Sequence, residues 1–393
     1  MAAIHAAERS KSVLLLEKNR KPGVKILMSG GTRCNITHSC DNRGIVEAFG
    51  PNGKFLHSAL AAFGVEKAIE FFENAGVATK VEDTGKVFPV SNKAIDVLDA
   101  LVNRLQRSGA MLSLEEPVSE LQKSPSSGFE VVTSRRTLTV EKVILTSGGQ
   151  SYPGCGTRGD GYAFLQRMGH TIVPPKPALV PIRVIAPWIA DLRGVTLADV
   201  NIKVLEENKV LTSRRGGFLF AHFGLTGPAP LDVSKAITRH AHPQSLELEI
   251  DFLPHQDEVA LDTFLREQSL ASGRKQLAVV LSEILPRRLA DSLLTLTGLV
   301  VDRKAAGLSK ADRGKLVSAA KRLRLPVLGT LGFEKAEVTT GGVSLAEVDS
   351  RTMESKLVPG LYLAGEILDL DGPIGGYNFQ AAWSTGWLAG QSI

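Results

Sequence analysis

The chain has 393 residues with 46 Lys and Arg against 41 Asp and Glu, a net charge of +5 and a pI near 9.0. Hydrophobic content of 43% and charged content of 22% are those of an ordinary globular protein of two or three domains, and no apolar run is long enough to span a membrane. Three cysteines (Cys34, Cys40, Cys155) exclude a disulfide framework and no Cys/His cluster has metal-ligand spacing, so a reducing, cytoplasmic compartment and no resident metal are expected.

In chain order, the first 11 residues have helical spacing, and Val13 to Leu16 is a wholly apolar run suited to a parallel strand buried on both faces. No basic start is followed by the apolar core of a secretory leader. A helix feeding a strand is half of a βαβ unit. Glu17 closes that strand. In dinucleotide folds an acid there accepts hydrogen bonds from a ribose hydroxyl, about 20 residues after a glycine-rich phosphate loop. Counting back puts that loop upstream of Met1, so Met1 is expected to be an internal methionine. The alternative is an ordinary strand-end carboxylate.

Ser29-Gly30-Gly31-Thr32-Arg33-Cys34-Asn35 is a small-residue loop with one cation. Its glycines let backbone approach a ligand, Arg33 suits a phosphate, and Asn35 suits a ring edge; a plain surface turn has the same composition. Residues 65–76 and 93–108 read as amphipathic helices, and 129–133 and 137–146 as strands. Gly154-Cys155-Gly156-Thr157-Arg158-Gly159 matches GxGxxG, but Pro153 and the six residues after Ser147 leave no tight strand-to-helix turn, and no acid stands near 180. It reads as a flexible loop at the mouth of a site.

Pro174-Pro175-x-Pro177 reads as a sharp break. Strand-like runs follow to about 253, including 201–205 and 245–252; residues 255–325 then read as helical, with Ser309 a helix start and Gly298 a stop. His222, in Phe220-Ala221-His222-Phe223-Gly224, is either a structural histidine or a proton donor, and Cys34 is either a packing thiol or a proton donor. Strand and turn signals return at 336–348. The end is strand Leu361–Ala364, Gly365-Glu366, an acidic stretch with Asp369 and Asp371, Gly375-Gly376, and a helix over 378–389. That helix N-terminus would offer free N–H groups to an anionic ring, and Glu366 would suit a polyol hydroxyl.

These segments resemble the HI0933-like (BaiN/YhiN) flavoprotein family of NAD(P)/FAD-dependent oxidoreductases. The resemblance rests on Leu14-Leu15-Leu16-Glu17-Lys18-Asn19, on Lys25-Ile26-Leu27-Met28-Ser29-Gly30-Gly31-x-Arg33-Cys34-Asn35, and on Gly148-Gly149-x-Ser151-Tyr152-Pro153. It continues through the His222 loop, Thr339-x-Gly341-Gly342-Val343, and the run from Gly360 to Asn378. Thr32 stands where the family has a glycine, and the family's first strand and glycine loop are not in the chain.

The resemblance implies an α/β fold: a split Rossmann-like FAD-binding domain (1–180 and 341–393), with an inserted β-barrel (181–254 and 326–340) and a small helical domain (255–325). It implies flavin hydride chemistry with NADH or NADPH as reductant, acting on a conjugated C=C bond of a small molecule. An alternative is reduction of uridine to dihydrouridine in ribosomal RNA, gripped by scattered Arg/Lys pairs (Arg214-Arg215, Arg287-Arg288, Arg303-Lys304, Lys321-Arg322-x-Arg324). Another is a truncated, flavin-free product. Expected cofactor contacts are Glu17, Lys18, Gly30, Gly31, Arg33, Cys34, Asn35, Gly149, Gly365, Glu366, Gly376, Tyr377 and Asn378, with Cys34 and His222 as proton donors.

Overall fold

A computed structural model describes residues 1–124, 127–271 and 273–393. The chain divides into two compact units, Met1–Pro177 with Glu337–Ile393, and Ala178–Ala336.

The first unit is mixed α/β. Helix Ala2–Glu8 leads into strand Leu14–Leu16, which pairs in parallel with Met111–Ser113. A second parallel pair joins Val143–Leu145 to Leu361–Leu363, strands far apart in the sequence. Their unbroken apolar composition suits burial on both faces. The run 137–146 divides at Glu141-Lys142. Thr137–Val140 goes to a three-stranded antiparallel sheet with Val118–Lys123 and Phe129–Thr133, and Val143–Leu145 goes to the parallel pair. Helices Val65–Asn74 and Ala94–Arg107 form where 3.6-residue apolar spacing places them.

The proline cluster ends where the chain passes from the first unit to the second, after Pro177, and it is itself part of a strand. Among the described residues, strand Ile172–Ala178 pairs only with Val338–Val343, in a two-stranded sheet. An edge strand tolerates the missing N–H donors of Pro174, Pro175 and Pro177.

The C-terminal helix, Tyr377–Ser392, has no exposed residue and carries a buried polar stripe. Each stripe residue is satisfied. Gln380 Nε2 and Ser384 Oγ donate to the Phe63 carbonyl at 3.2 and 2.6 Å, and Thr385 Oγ1 accepts from the Gly365 N–H at 3.1 Å. Trp383 Nε1 donates to the Ile36 carbonyl at 2.9 Å, and Thr37 Oγ1 to Gln380 Oε1 at 2.6 Å. The helix therefore knits Ile36, the strand Thr37–His38 and the Gly365 loop into one block.

In the second unit six strands close a barrel in the order Ile182–Val184, Gly224–Thr226, Lys209–Ala221, Thr196–Glu206, Leu246–Asp251, Leu323–Thr330. Phe218, Phe220 and Phe252 meet inside it. Burying each such ring contributes about 2–3 kcal/mol. Helices Glu258–Ala271, Leu277–Leu281, Arg287–Leu296 and Lys310–Lys321 share that core. Ser309 caps the last of them, accepting from the Asp312 N–H at 3.1 Å, and Gly298 follows the third at φ +77°. The last barrel strand ends at Thr330. Strand Val338–Val343, part of which fell in the expected barrel segment 326–340, belongs to the first unit.

Candidate functional site

Four segments of the first unit meet at one polar cluster. Thr339 Oγ1 accepts from the backbone N–H groups of Gln150 and Ser151 at 2.8 and 2.9 Å. The Thr339 N–H donates to Glu366 Oε1 at 2.9 Å, and Ser151 Oγ donates to the same oxygen at 2.6 Å. Lys25 Nζ, from the short helix Val24–Met28, donates to Ser151 Oγ at 2.7 Å and to Glu366 Oε2 at 2.6 Å. Ser151 and Thr339 are fully buried, whereas Lys25 and Glu366 keep part of their side chains exposed. A Cβ on Gly149 would lie 2.3 Å from Thr339 Oγ1 and 3.0 Å from Glu366 Oε1. Glycine is required there so that Thr339 and Glu366 can close on the loop.

The 29–35 loop is strongly turned. Gly30, Gly31, Thr32 and Cys34 all have positive φ, of 55°, 66°, 70° and 60°. Thr32 thus occupies a conformation that costs a non-glycine residue about 1–2 kcal/mol. Arg33 is not an open cation: its Nη1 pairs with Glu82 at 2.7 Å and its guanidinium lies 3.9 Å over the Phe88 ring. Cys34 is fully buried in a core with Ile4, Ile36 and Trp383, and burial pushes its thiol up to about 12. The thiol therefore faces the core, which speaks against the contact and proton-donor roles expected of its side chain. Asn35 is buried, and its Oδ1 has no hydrogen-bond partner among the described residues.

Gly376 caps the C-terminal helix at φ +96°, and no side chain caps the helix start. Tyr377 stacks on His38, ring centroids 4.5 Å apart, and His38 Nδ1 is bonded to the Gly375 carbonyl at 3.1 Å. Burial lowers the His38 pKa, opposed by that bond. Asn378 closes its own loop: Oδ1 accepts from the Gly372 N–H at 2.8 Å and Nδ2 donates to the Gly372 carbonyl at 2.9 Å. Asp369 and Asp371 accept from the Gly341 N–H and Thr340 Oγ1 at 3.1 and 2.8 Å. Gly365 has φ +79°.

Glu17 follows its strand, and one of its oxygens accepts from the Asn19 N–H at 2.8 Å. Lys18 pairs with Asp160, at the start of helix Asp160–Arg167. Asn19 Nδ2 donates to the Cys155 carbonyl at 2.8 Å. The GxGxxG-like loop thus lies against the end of the first strand. His222 belongs to the other unit, exposed at the turn after strand Lys209–Ala221 with its ring edge-on to Phe223.

Lys25, Ser151 and Thr339 were not among the expected site residues, although all three lie inside the motifs that carry the resemblance. The basic pairs of the second unit prove largely committed. Arg215, Arg287, Arg303, Arg322 and Arg324 are ion-paired with Asp199, Asp291, Asp312, Glu258 and Glu249. Lys321 is buried against Asp251 and the carbonyls of Leu253 and Gln256. No helix among the described residues is long and apolar enough to cross a membrane.

A family model described as the HI0933-like protein Rossmann domain matches residues 1–392. A ribosomal RNA dihydrouridine synthase of Escherichia coli (strain K12) is 35% identical over 388 residues, covering 99% of this chain and 93% of that protein. A 3-dehydro-bile acid delta(4,6)-reductase of Clostridium scindens is 33% identical over 399 residues, covering 100% of this chain and 95% of that protein. Among solved structures, a flavocytochrome c3 fumarate reductase in its open conformation aligns over 100% of this chain and 75% of its own at 14% identity, with a TM-score of 0.48.

Proposed function

This chain belongs to the HI0933-like family and is an FAD-dependent oxidoreductase, and on that basis we propose that it saturates a conjugated C=C bond in a small molecule at the expense of NADH or NADPH. The observation that carries the reaction class is that the names of both relatives describe adding two hydrogens across a C=C bond, one in a bile acid and one in uridine. When bound, FAD supplies the hydride, and the protein supplies binding, orientation and electrostatics.

The residues of the first unit fit such a group. Asn35 Oδ1 is a buried acceptor still lacking a donor, and the N–H of a flavin ring edge would satisfy it. The uncapped start of the C-terminal helix presents N–H groups and partial positive charge to a reduced, anionic ring. Gly30, Gly31, Gly365 and Gly376 bring backbone close, and Glu17 at its strand end accepts a ribose hydroxyl. Lys18, Arg33 and Asn378 act one step back. Through Asp160, Glu82 and the Gly372 loop they fix the walls of the site. Tyr377 holds the His38 ring flat against that wall. Gly149 serves by admitting Thr339 and Glu366. Of the two proton-donor candidates, Cys34 is sealed in the core of the first unit and His222 is exposed on the second.

The second reading, reduction of uridine in ribosomal RNA, is favoured by the 35% identity to the Escherichia coli protein. Phosphate gripping by the basic pairs fits it poorly, since most of them already hold carboxylates. The test is titration of the purified protein with FAD, followed by anaerobic addition of NADH and of NADPH. Stoichiometric FAD binding and bleaching by one dinucleotide are expected; FAD that binds but is bleached by neither would refute the nicotinamide-driven reading. RNA binding that falls steeply with salt would favour the second.

A further inference from the structure

Lys25 and Glu366 differ from the rest of their cluster in having bonding capacity left over. A lysine ammonium has three donors, and Lys25 spends one on Ser151 Oγ and one on Glu366 Oε2. A carboxylate has about four acceptor positions, two on each oxygen. Glu366 Oε1 fills both of its own with Ser151 Oγ and the Thr339 N–H, while Oε2 takes Lys25 alone. One donor and one acceptor therefore remain on two atoms 2.6 Å apart. Both side chains are partly exposed, unlike Ser151 and Thr339.

The mount beneath them is rigid. Ser151 and Thr339 are fully buried, and Thr339 Oγ1 is fixed by two backbone N–H groups. A simple cation would be satisfied by Glu366 alone and a simple anion by Lys25 alone. A hydroxyl is the small group that uses both: it accepts from Nζ while donating to Oε2.

We infer that Lys25 and Glu366 together form a hydroxyl-reading pair, with Lys25 as a positioning residue that grips the ribityl chain of the flavin. This rests on the reading that FAD occupies the first unit. It adds to that reading a residue with a stated job: Lys25 orients Glu366 through its bond to Oε2, and supplies the second half of the hydroxyl's bonding. The predicted ligand feature is the polyol itself, independent of the ring and of the phosphates.

Riboflavin and lumiflavin share a ring and differ in the ribityl chain, so they isolate this contact. Fluorescence-quenching titrations of the full chain should show riboflavin binding about tenfold tighter than lumiflavin, the worth of one charge-assisted hydrogen bond. Lys25→Met should erase that preference by weakening riboflavin while leaving lumiflavin where it was. Lys25→Arg, which keeps charge and donors, should retain it. Lys25→Gln is titrated in place of the Met variant if thermal melts show the latter unfolded, and must then also narrow the riboflavin–lumiflavin gap. An undiminished preference without Lys25, or equal loss of both probes, would overturn the pairing. Wild-type protein that binds FAD without preferring riboflavin would remove the hydroxyl pair and leave the cofactor reading standing. Wild-type protein that binds neither FAD nor riboflavin would remove both.

Discussion

Gly376 presses so closely on Thr37 that a Cβ on Gly376 would stand 2.5 Å from both the carbonyl carbon and the carbonyl oxygen of Thr37. The start of the C-terminal helix and the strand that follows the 29–35 loop are thereby held together without a side chain between them. The same contact brings the open helix end to the loop that carries Asn35.

Gly376→Ala meets two penalties at once, a backbone at φ +96° and a steric overlap with peptide atoms that cannot rotate away. A loss of about 3 kcal/mol is expected, seen as a lower denaturant midpoint for the first unit. FAD affinity should fall with it.

Thr32 offers the opposite experiment. Its φ of +70° costs about 1–2 kcal/mol, from which the greater flexibility of an unfolded glycine subtracts about 0.5–1. Thr32→Gly should therefore raise stability by about 0.5–1 kcal/mol in a denaturant titration.

Thr339→Val keeps shape and removes one oxygen. The N–H groups of Gln150 and Ser151 would both lose their acceptor inside the protein. The expected cost is about 3 kcal/mol, together with weaker FAD binding, because the loop that carries Ser151, a donor to Glu366, loses its anchor. Thr339→Ser should restore both.

Glu116 sets an acid limit on stability. Hydrogen bonds from Arg136 first, then from Ser113 and Thr133, hold its carboxyl at about 2, against an ordinary value of 4.5. A depressed carboxyl stabilises the fold above its unfolded value, and that contribution is lost as pH falls from about 4.5 towards 2. A pH series of melting temperatures should show this acid limb, and Glu116→Gln should flatten it.

What could be read from the sequence was what depends on near neighbours. The Ser309 cap, the Gly298 stop and the strand ending at Glu17 each follow from a few adjacent residues. Pro174 to Pro177 mark the passage between the two units, but their strand is not legible locally, because it is created by pairing with Val338–Val343, far along the chain, at an edge where proline is tolerated. Arg33 looked like a phosphate ligand because Glu82 and Phe88, which occupy it, come from another hairpin. Cys34 looked available because nothing local announces the core around it. The role of Lys25 is illegible locally for the same reason: its two partners arrive from the 148–151 loop and from Glu366.

The most direct test of the account is whether FAD reduced on this protein is re-oxidised by a conjugated C=C bond. Protein loaded with FAD is bleached anaerobically with NADH or NADPH, and a conjugated enone is then added while the visible flavin absorbance is followed. Return of the oxidised spectrum, matched by one saturated product per flavin, is the predicted result. Reduced flavin that persists with the enone and recovers only on admitting air would contradict C=C reduction as the activity of this chain.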